Sequence, residues 1–401
     1  MVSSARVAVV GLGTMGSQVL WQLSKRGVDV TGFETYAPGH SRGAAGGENR
    51  LFRNIEMEHP GYSPIMARAD YLWGELQKES GRELRTLTGT LLMGAPDNEQ
   101  MQTALQNAAE TGVEHEVLNE SQLHRRYPQY RMDEGDIAVL DVHSGFIRPE
   151  LTVSTAARLA RANGAVLVTD TEVTGVKETS SGTVVMTARG DHHFDRVIVT
   201  AGGWTSKLLP AFEGLVETRR LISSWHFALD ANYLAGIIPF IRTEPTYCYG
   251  IPTTDFTAMK IGLGYSNHME VQDPDEVERA VRPHELAPFQ EKISRYVPGL
   301  DLHPMRTETY LETYTPTRRE WIGEHPEMDN VIVMSGFSGH GFKMCPAIGE
   351  IGANLVLGEP SPVDIGFLRD ASPTESAANQ PAATGLNPSV PLGRQRVPGM
   401  T

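Results

Sequence analysis

The sequence predicts an α/β protein built on a doubly wound parallel sheet, and three observations carry that prediction. The stretch "RVAVVGLGTMGSQVLWQLSKRGVDVTGFE" (6–34) reads as strand, glycine turn, helix, strand and acid. The order of strand, glycines and helix returns in "FDRVIVTAGGWTSKLL" (194–209) and in "NVIVMSGFSGHGFKMCPAIGEIGANLVLG" (330–358). Two polar blocks of short helices and strands, 86–144 and 216–304, interrupt this pattern with the composition of a second domain.

In the first unit, Val7, Ala8, Val9 and Val10 form a continuous apolar run, as a parallel strand covered on both faces requires. Gly11, Gly13 and Gly16 follow as GxGxxG, which permits a tight turn, close backbone approach to a pyrophosphate and tight helix packing. Val19, Leu20 and Leu23 then keep helical spacing, and the N-terminus of that helix offers free amides to phosphate. Val28 to Phe33 reads as the next strand, and Glu34 ends it where a carboxylate can accept hydrogen bonds from ribose hydroxyls. An adenine dinucleotide is expected, NAD or FAD.

The segment "APGHSRGAAGGENRLFR" (37–53) is too long and glycine-rich for an ordinary connection and is expected to line a site, carrying Arg42, Arg50 and Arg53. Met66, Ala69, Leu72, Trp73 and Leu76 give the following helix, about 64–78, an apolar packing face. A helix closing at Gly164 leads into a strand within 151–176. The glycines of 330–358 offer a second set of backbone amides to the same ligand, as a flat ring system would use. Residues 370–401, rich in Pro, Ala, Ser and Gly, are expected to be a disordered tail.

A net charge of −14 opposes attraction to a polyanion, so nucleic acid is not an expected partner. With only Cys248 and Cys345 there is no disulfide framework, which fits a reducing compartment. No stretch approaches a membrane span and the N-terminus lacks a signal core, so a cytoplasmic protein without membrane contact is expected. "GFSGHG" (336–341) closes on His340 where a hydrolase elbow needs glycine, and Lys343 is misplaced for a phosphate-binding loop of the Walker type. His192 and His193 are expected in a hairpin turn with diverging side chains, and no metal is expected.

Five stretches in order, "VVGLGTMGSQVLWQLSKRG" with Glu34, "NRLFR", "VIVTAGGWTSKLL", the lone lysine of "AMKIGLGY" and "GFSGHGFK", resemble the D-amino-acid-oxidase-type flavoproteins. Within these they are most similar to the monomeric sarcosine oxidase and N-methyltryptophan oxidase branch, over about residues 5–368. The resemblance implies FAD, a Rossmann-type FAD domain from 1–85, 145–215 and 305–368, and an antiparallel-sheet substrate domain from 86–144 and 216–304. It implies a monomer that oxidises a secondary amine amino acid with oxygen, giving hydrogen peroxide. Arg53 and Lys343 match the residues that hold the substrate carboxylate, and Tyr249 joins them in the substrate pocket. Lys260 matches the lysine that assists oxygen at the flavin face, and Arg50 the basic residue beside the ring. Gly11, Gly13, Thr14, Met15, Gly16, Glu34, Arg42, Gly43, Val173, Ala201, Gly202, Trp204, Gly339, Gly341, Phe342 and Lys343 fall at positions that surround the cofactor.

Two departures qualify the match. The branch ties its flavin through the cysteine of a "CMYT" run, but here "TYLET" places Tyr310 at that position, so non-covalent FAD is expected and Cys345 is read as a packed thiol. Glu312 replaces the tyrosine of that run, and "GLGYSNH" lengthens the segment that carries a histidine, so sarcosine itself is not implied. Three alternatives stand beside this reading. A flavin dehydrogenase is opposed by Lys260, an NAD-dependent dehydrogenase by the 330–358 glycine loop, and a flavin-binding protein without turnover is favoured only by Tyr310 and the altered roof.

Overall fold

The computed structural model describes residues 5–369, and the expected tail of 370–401 lies outside them. Five parallel strands form the centre of the first sheet, in the order Val166–Val168, Asp29–Phe33, Arg6–Val10, Arg196–Val199 and Met328–Ser335. Trp321–His325 adds an antiparallel edge. Alternation along the first strand sends Val7 and Val9 to one face, against the helices Thr14–Lys25, Tyr62–Ser80 and Cys345–Leu357. Ala8 and Val10 face the other side, where Val185 and Phe194 of a three-stranded antiparallel sheet cover them. The central sheet is thus wrapped by helices on one side and by a small sheet on the other.

His192 and His193 belong to this small sheet, in the strand Gly190–Phe194 and not in a turn. Both rings are half-exposed or exposed, and His192 meets the edge of Phe33 at 5.1 Å. Strand alternation, and not the geometry of a turn, sends the two side chains apart. Among the described residues no cluster of metal-ligating side chains occurs.

A nine-stranded mixed sheet stands opposite the ends of the parallel strands. Its longest pairing is antiparallel, Glu217–Phe227 against Arg306–Tyr314. One pair is parallel, Phe240–Arg242 with Thr90–Gly94. Arg306–Tyr314 falls in the 305–368 stretch expected on the cofactor side, but its hydrogen bonds to Glu217–Phe227 make it part of this larger sheet. The helix Ala287–Tyr296 buries Phe289, Ile293 and Tyr296 on the sheet's far side. No helix of the described residues is long and apolar enough to cross a membrane.

Candidate active site

A cavity of about 910 Å³ opens where the parallel strands end, walled by Gly11, Glu34, Ala201 and Ser335 on one side and by Leu221, Ile241, Tyr249 and Glu312 of the large sheet on the other. Strand ends of a parallel sheet are where such folds bind ligands, because the connecting loops diverge there.

At one end lies the glycine turn. Gly11 has a φ of 89°, and a Cβ on Gly16 would stand 1.9 Å from the Gly11 carbonyl oxygen, so both glycines are required for the turn to close. Gly13 differs, since a Cβ there would meet nothing within 4 Å and would project into open space. Gly13 caps the helix Thr14–Lys25, whose first N–H groups have no acceptor inside the helix. Glu34, 5% exposed, accepts from the N–H groups of Leu12 and Tyr36 at 2.9 Å each. Burial alone would raise its pKa, but His40 and these two donors hold it below the ordinary carboxylate range. Oε1 is shared by the Tyr36 N–H and His40 Nε2, while Oε2, with one donor, keeps a lone pair for a ribose hydroxyl. The open cradle at Gly13, the free amides and the ionised acid fit an adenine dinucleotide.

The wall continues through Gly43, Val173, Gly202 and Trp204, whose indole N–H is bound to Asp275 at 2.7 Å, to Gly339, Gly341, Phe342 and Lys343. Thr14, Met15, Ala201 and Arg50 also line it. Arg50 donates at 2.8 Å to the Asn49 and Ala44 carbonyls, and its guanidinium lies over the Tyr310 ring. Three expected site residues do not reach the cavity surface. Gly16 is packed into the turn. Arg42 is exposed and stacks on Tyr36, which itself lines the cavity. Lys260, fully buried, sits one layer behind, where its Nζ donates to the Gly47 carbonyl at 3.0 Å and to that of Asn49. Burial, with Arg50 nearby, pushes its pKa well below the usual lysine value. A buried amine bound to two carbonyls ties down the 47–49 loop.

Arg53 and Lys343 converge. Arg53 Nη1 and Lys343 Nζ lie 3.8 and 3.4 Å from the same oxygen, Oε2 of Glu56, and Arg53 also pairs with Glu58. Glu56 is fully buried and neither of its oxygens has a hydrogen-bond partner among the described residues. Burial pushes its pKa up against the pull of the two cations. Glu58 faces the opposite outcome, because Arg53, Lys343 and His340 outweigh its burial and hold it well below the ordinary range. Both acids lie near Arg53 in the sequence, but no motif or spacing signals that they face Lys343.

Tyr247, Tyr249 and Tyr314 give the cavity an aromatic wall. His268, at the end of the lengthened "GLGYSNH" run, also reaches it. Its Nε2 lies 3.1 Å from the Leu263 carbonyl, so that nitrogen carries the proton and Nδ1 accepts from the Tyr314 hydroxyl at 2.9 Å. Burial lowers the pKa of His268 to about 4, which keeps the ring neutral. Tyr310 is fully buried outside the cavity lining, with its hydroxyl bound to Glu308. Both cysteines are buried too, and burial pushes the Cys248 thiol up to about 12 and the Cys345 thiol well above its usual value.

The chain is 31% identical over 362 residues to a monomeric sarcosine oxidase of Streptomyces avermitilis, covering 88% of this chain and 93% of that protein. It is 28% identical over 368 residues to an N-methyl-L-tryptophan oxidase of Yersinia pestis, covering 89% and 96%. Its fold is similar to that of NikD, described as an unusual amino acid oxidase essential for nikkomycin biosynthesis, with a TM-score of 0.79 at 21% identity over 91% of this chain and 96% of that one. The family model described as "FAD dependent oxidoreductase" matches residues 6–355, and the chain belongs to that family, the DAO family of FAD-dependent oxidoreductases.

Proposed function

We propose that the chain oxidises an N-alkyl amino acid with oxygen as electron acceptor. The observation that carries this reading is the convergence of Arg53 and Lys343 on one carboxylate oxygen beside a glycine-lined nucleotide cleft. FAD in that cleft supplies the two-electron oxidation. The chain supplies pose and charge. Arg53 presents a fork and Lys343 a point charge to the substrate carboxylate, which fixes the carbon next to the amine. Tyr247, Tyr249 and Tyr314 shield the N-alkyl group from water. The neutral amine gives up a hydride equivalent and a proton, the resulting imine takes up water to yield aldehyde and amine, and oxygen leaves as hydrogen peroxide. The parallel-sheet segments hold the cofactor and the large sheet roofs the substrate. FAD is held without a covalent bond, since Tyr310 stands where the branch uses cysteine and both thiols are buried.

Anaerobic titration with N-methyl amino acids and their methyl esters tests the reading. The acids are expected to bleach the flavin absorbance at concentrations at least about tenfold below the esters, because the ester has lost the clamp's charge-assisted bonds. Equal response to acid and ester would contradict it.

A further inference from the structure

Arg53 and Lys343 already have acidic partners, but Glu312 does not. It lines the cavity, and among the described residues it makes no ion pair. Alternation along Arg306–Tyr314 places it on the same face as Tyr310 and Tyr314. Its surroundings are the Tyr314 hydroxyl, the Gly339 N–H, Tyr249 and Arg50. Burial outweighs the pull of Arg50 and these hydrogen bonds and leaves its ionised form costly, so a further cation from a ligand would be favoured beside it.

The position of that carboxylate relative to the clamp decides what the cation is. A Cβ on Gly339 would stand 3.8 Å from Glu312 Oε2. The next residue, His340, offers its carbonyl to Lys343 Nζ at 3.2 Å. The lone anion and the clamp ammonium are therefore held against adjacent residues of one loop. A ligand that lays its carboxylate on Lys343 and Arg53 brings the atoms just beyond that carboxylate toward Glu312. In an amino acid those atoms carry the nitrogen.

We propose that Glu312 pairs with the ammonium form in which the substrate arrives and takes up its proton to leave the neutral amine that is oxidised, so that this cavity selects α-amino acid zwitterions over carboxylates that lack the amine. The inference rests on the amino acid oxidase reading above. It makes Glu312 a specificity residue, with the anionic end of the ligand read by Arg53 and Lys343 and the cationic end by Glu312.

Glycine betaine and 3,3-dimethylbutanoate test it directly. The two have the same shape and the same carboxylate, differ in the central atom of the head group, and neither has an amine lone pair to oxidise. Binding is read anaerobically from the perturbation of the FAD spectrum. The wild-type protein is expected to bind betaine at least about tenfold more tightly, Glu312→Gln to bring the two within about threefold, and Glu312→Asp to keep part of the preference. Equal binding of the pair by the wild type, a comparison that needs no variant, overturns the proposal. So does a preference that survives in Glu312→Gln with its FAD spectrum unchanged. If neither compound perturbs the wild-type spectrum, the amino acid reading itself fails, and the inference with it.

Discussion

Arg53 and Lys343 share an anion before any ligand arrives, because Glu56 lies 3.8 and 3.4 Å from them and, among the described residues, accepts no hydrogen bond. An incoming carboxylate must compete with it. Since burial raises the pKa of Glu56, the group takes up a proton at a pH above the ordinary carboxylate range, and once neutral it releases Lys343 and its share of Arg53, which stays paired with Glu58. Carboxylate ligands should therefore bind the wild type more tightly as the pH falls through that range. Glu56→Gln should bind them about tenfold more tightly at alkaline pH and lose most of the pH dependence, measured by FAD spectral titration. A variant that binds more weakly would contradict the competition. The same shift means that the folded chain holds a proton the unfolded chain has released, so this contribution to stability is lost as pH rises through the raised pKa. Urea titrations of Glu56→Gln should show that decline removed.

Among the elements, the glycine turn makes two neighbouring positions behave differently. Gly16→Ala would press a Cβ into the Gly11 carbonyl oxygen at 1.9 Å and should destabilise the apoprotein by about 1–3 kcal/mol. Gly13→Ala meets no protein atom within 4 Å, so its apoprotein should melt as the wild type does while FAD affinity falls about tenfold. Equal melting losses in both would refute the cradle. Lys260 belongs to this scale as well, through the loop it ties. Lys260→Met is expected to slow anaerobic reduction and reoxidation alike and to weaken FAD retention. Slowing confined to reoxidation would return the residue to the oxygen role that the family resemblance implied. The first strand, turn, helix and strand were legible in the sequence because their contacts are local and periodic. The pairing of Arg306–Tyr314 with Glu217–Phe227 was not legible, because the two strands are remote in the chain. His192 and His193 looked like a turn because a polar strand on a small exposed sheet lacks apolar alternation.

At the scale of the whole molecule, the function depends on two sheets meeting across one cavity. The cofactor side could be read from sequence, since glycine spacing and a strand-end acid are properties of one short segment. The substrate side could be read only where the family motif names a residue. Glu56, Glu58, His268 and Tyr314 enter the site through long-range packing between that side and the loop carrying Lys343, and no spacing rule announces it. His268 illustrates the point. Its run is longer than the family's, yet the fold returns the ring to the cavity wall and ties it to Tyr314.

The central claim is a dissociable FAD that an N-alkyl amino acid reduces and oxygen restores. Its most direct test is the absorption spectrum of the purified protein, taken before and after acid precipitation and during anaerobic addition of N-methyl amino acids followed by air. The account predicts yellow colour released into the supernatant, bleaching by at least one of the amino acids, and recovery in air with hydrogen peroxide formed. Flavin retained in the precipitate would contradict non-covalent binding, and a bleached spectrum that air does not restore would contradict the oxidase.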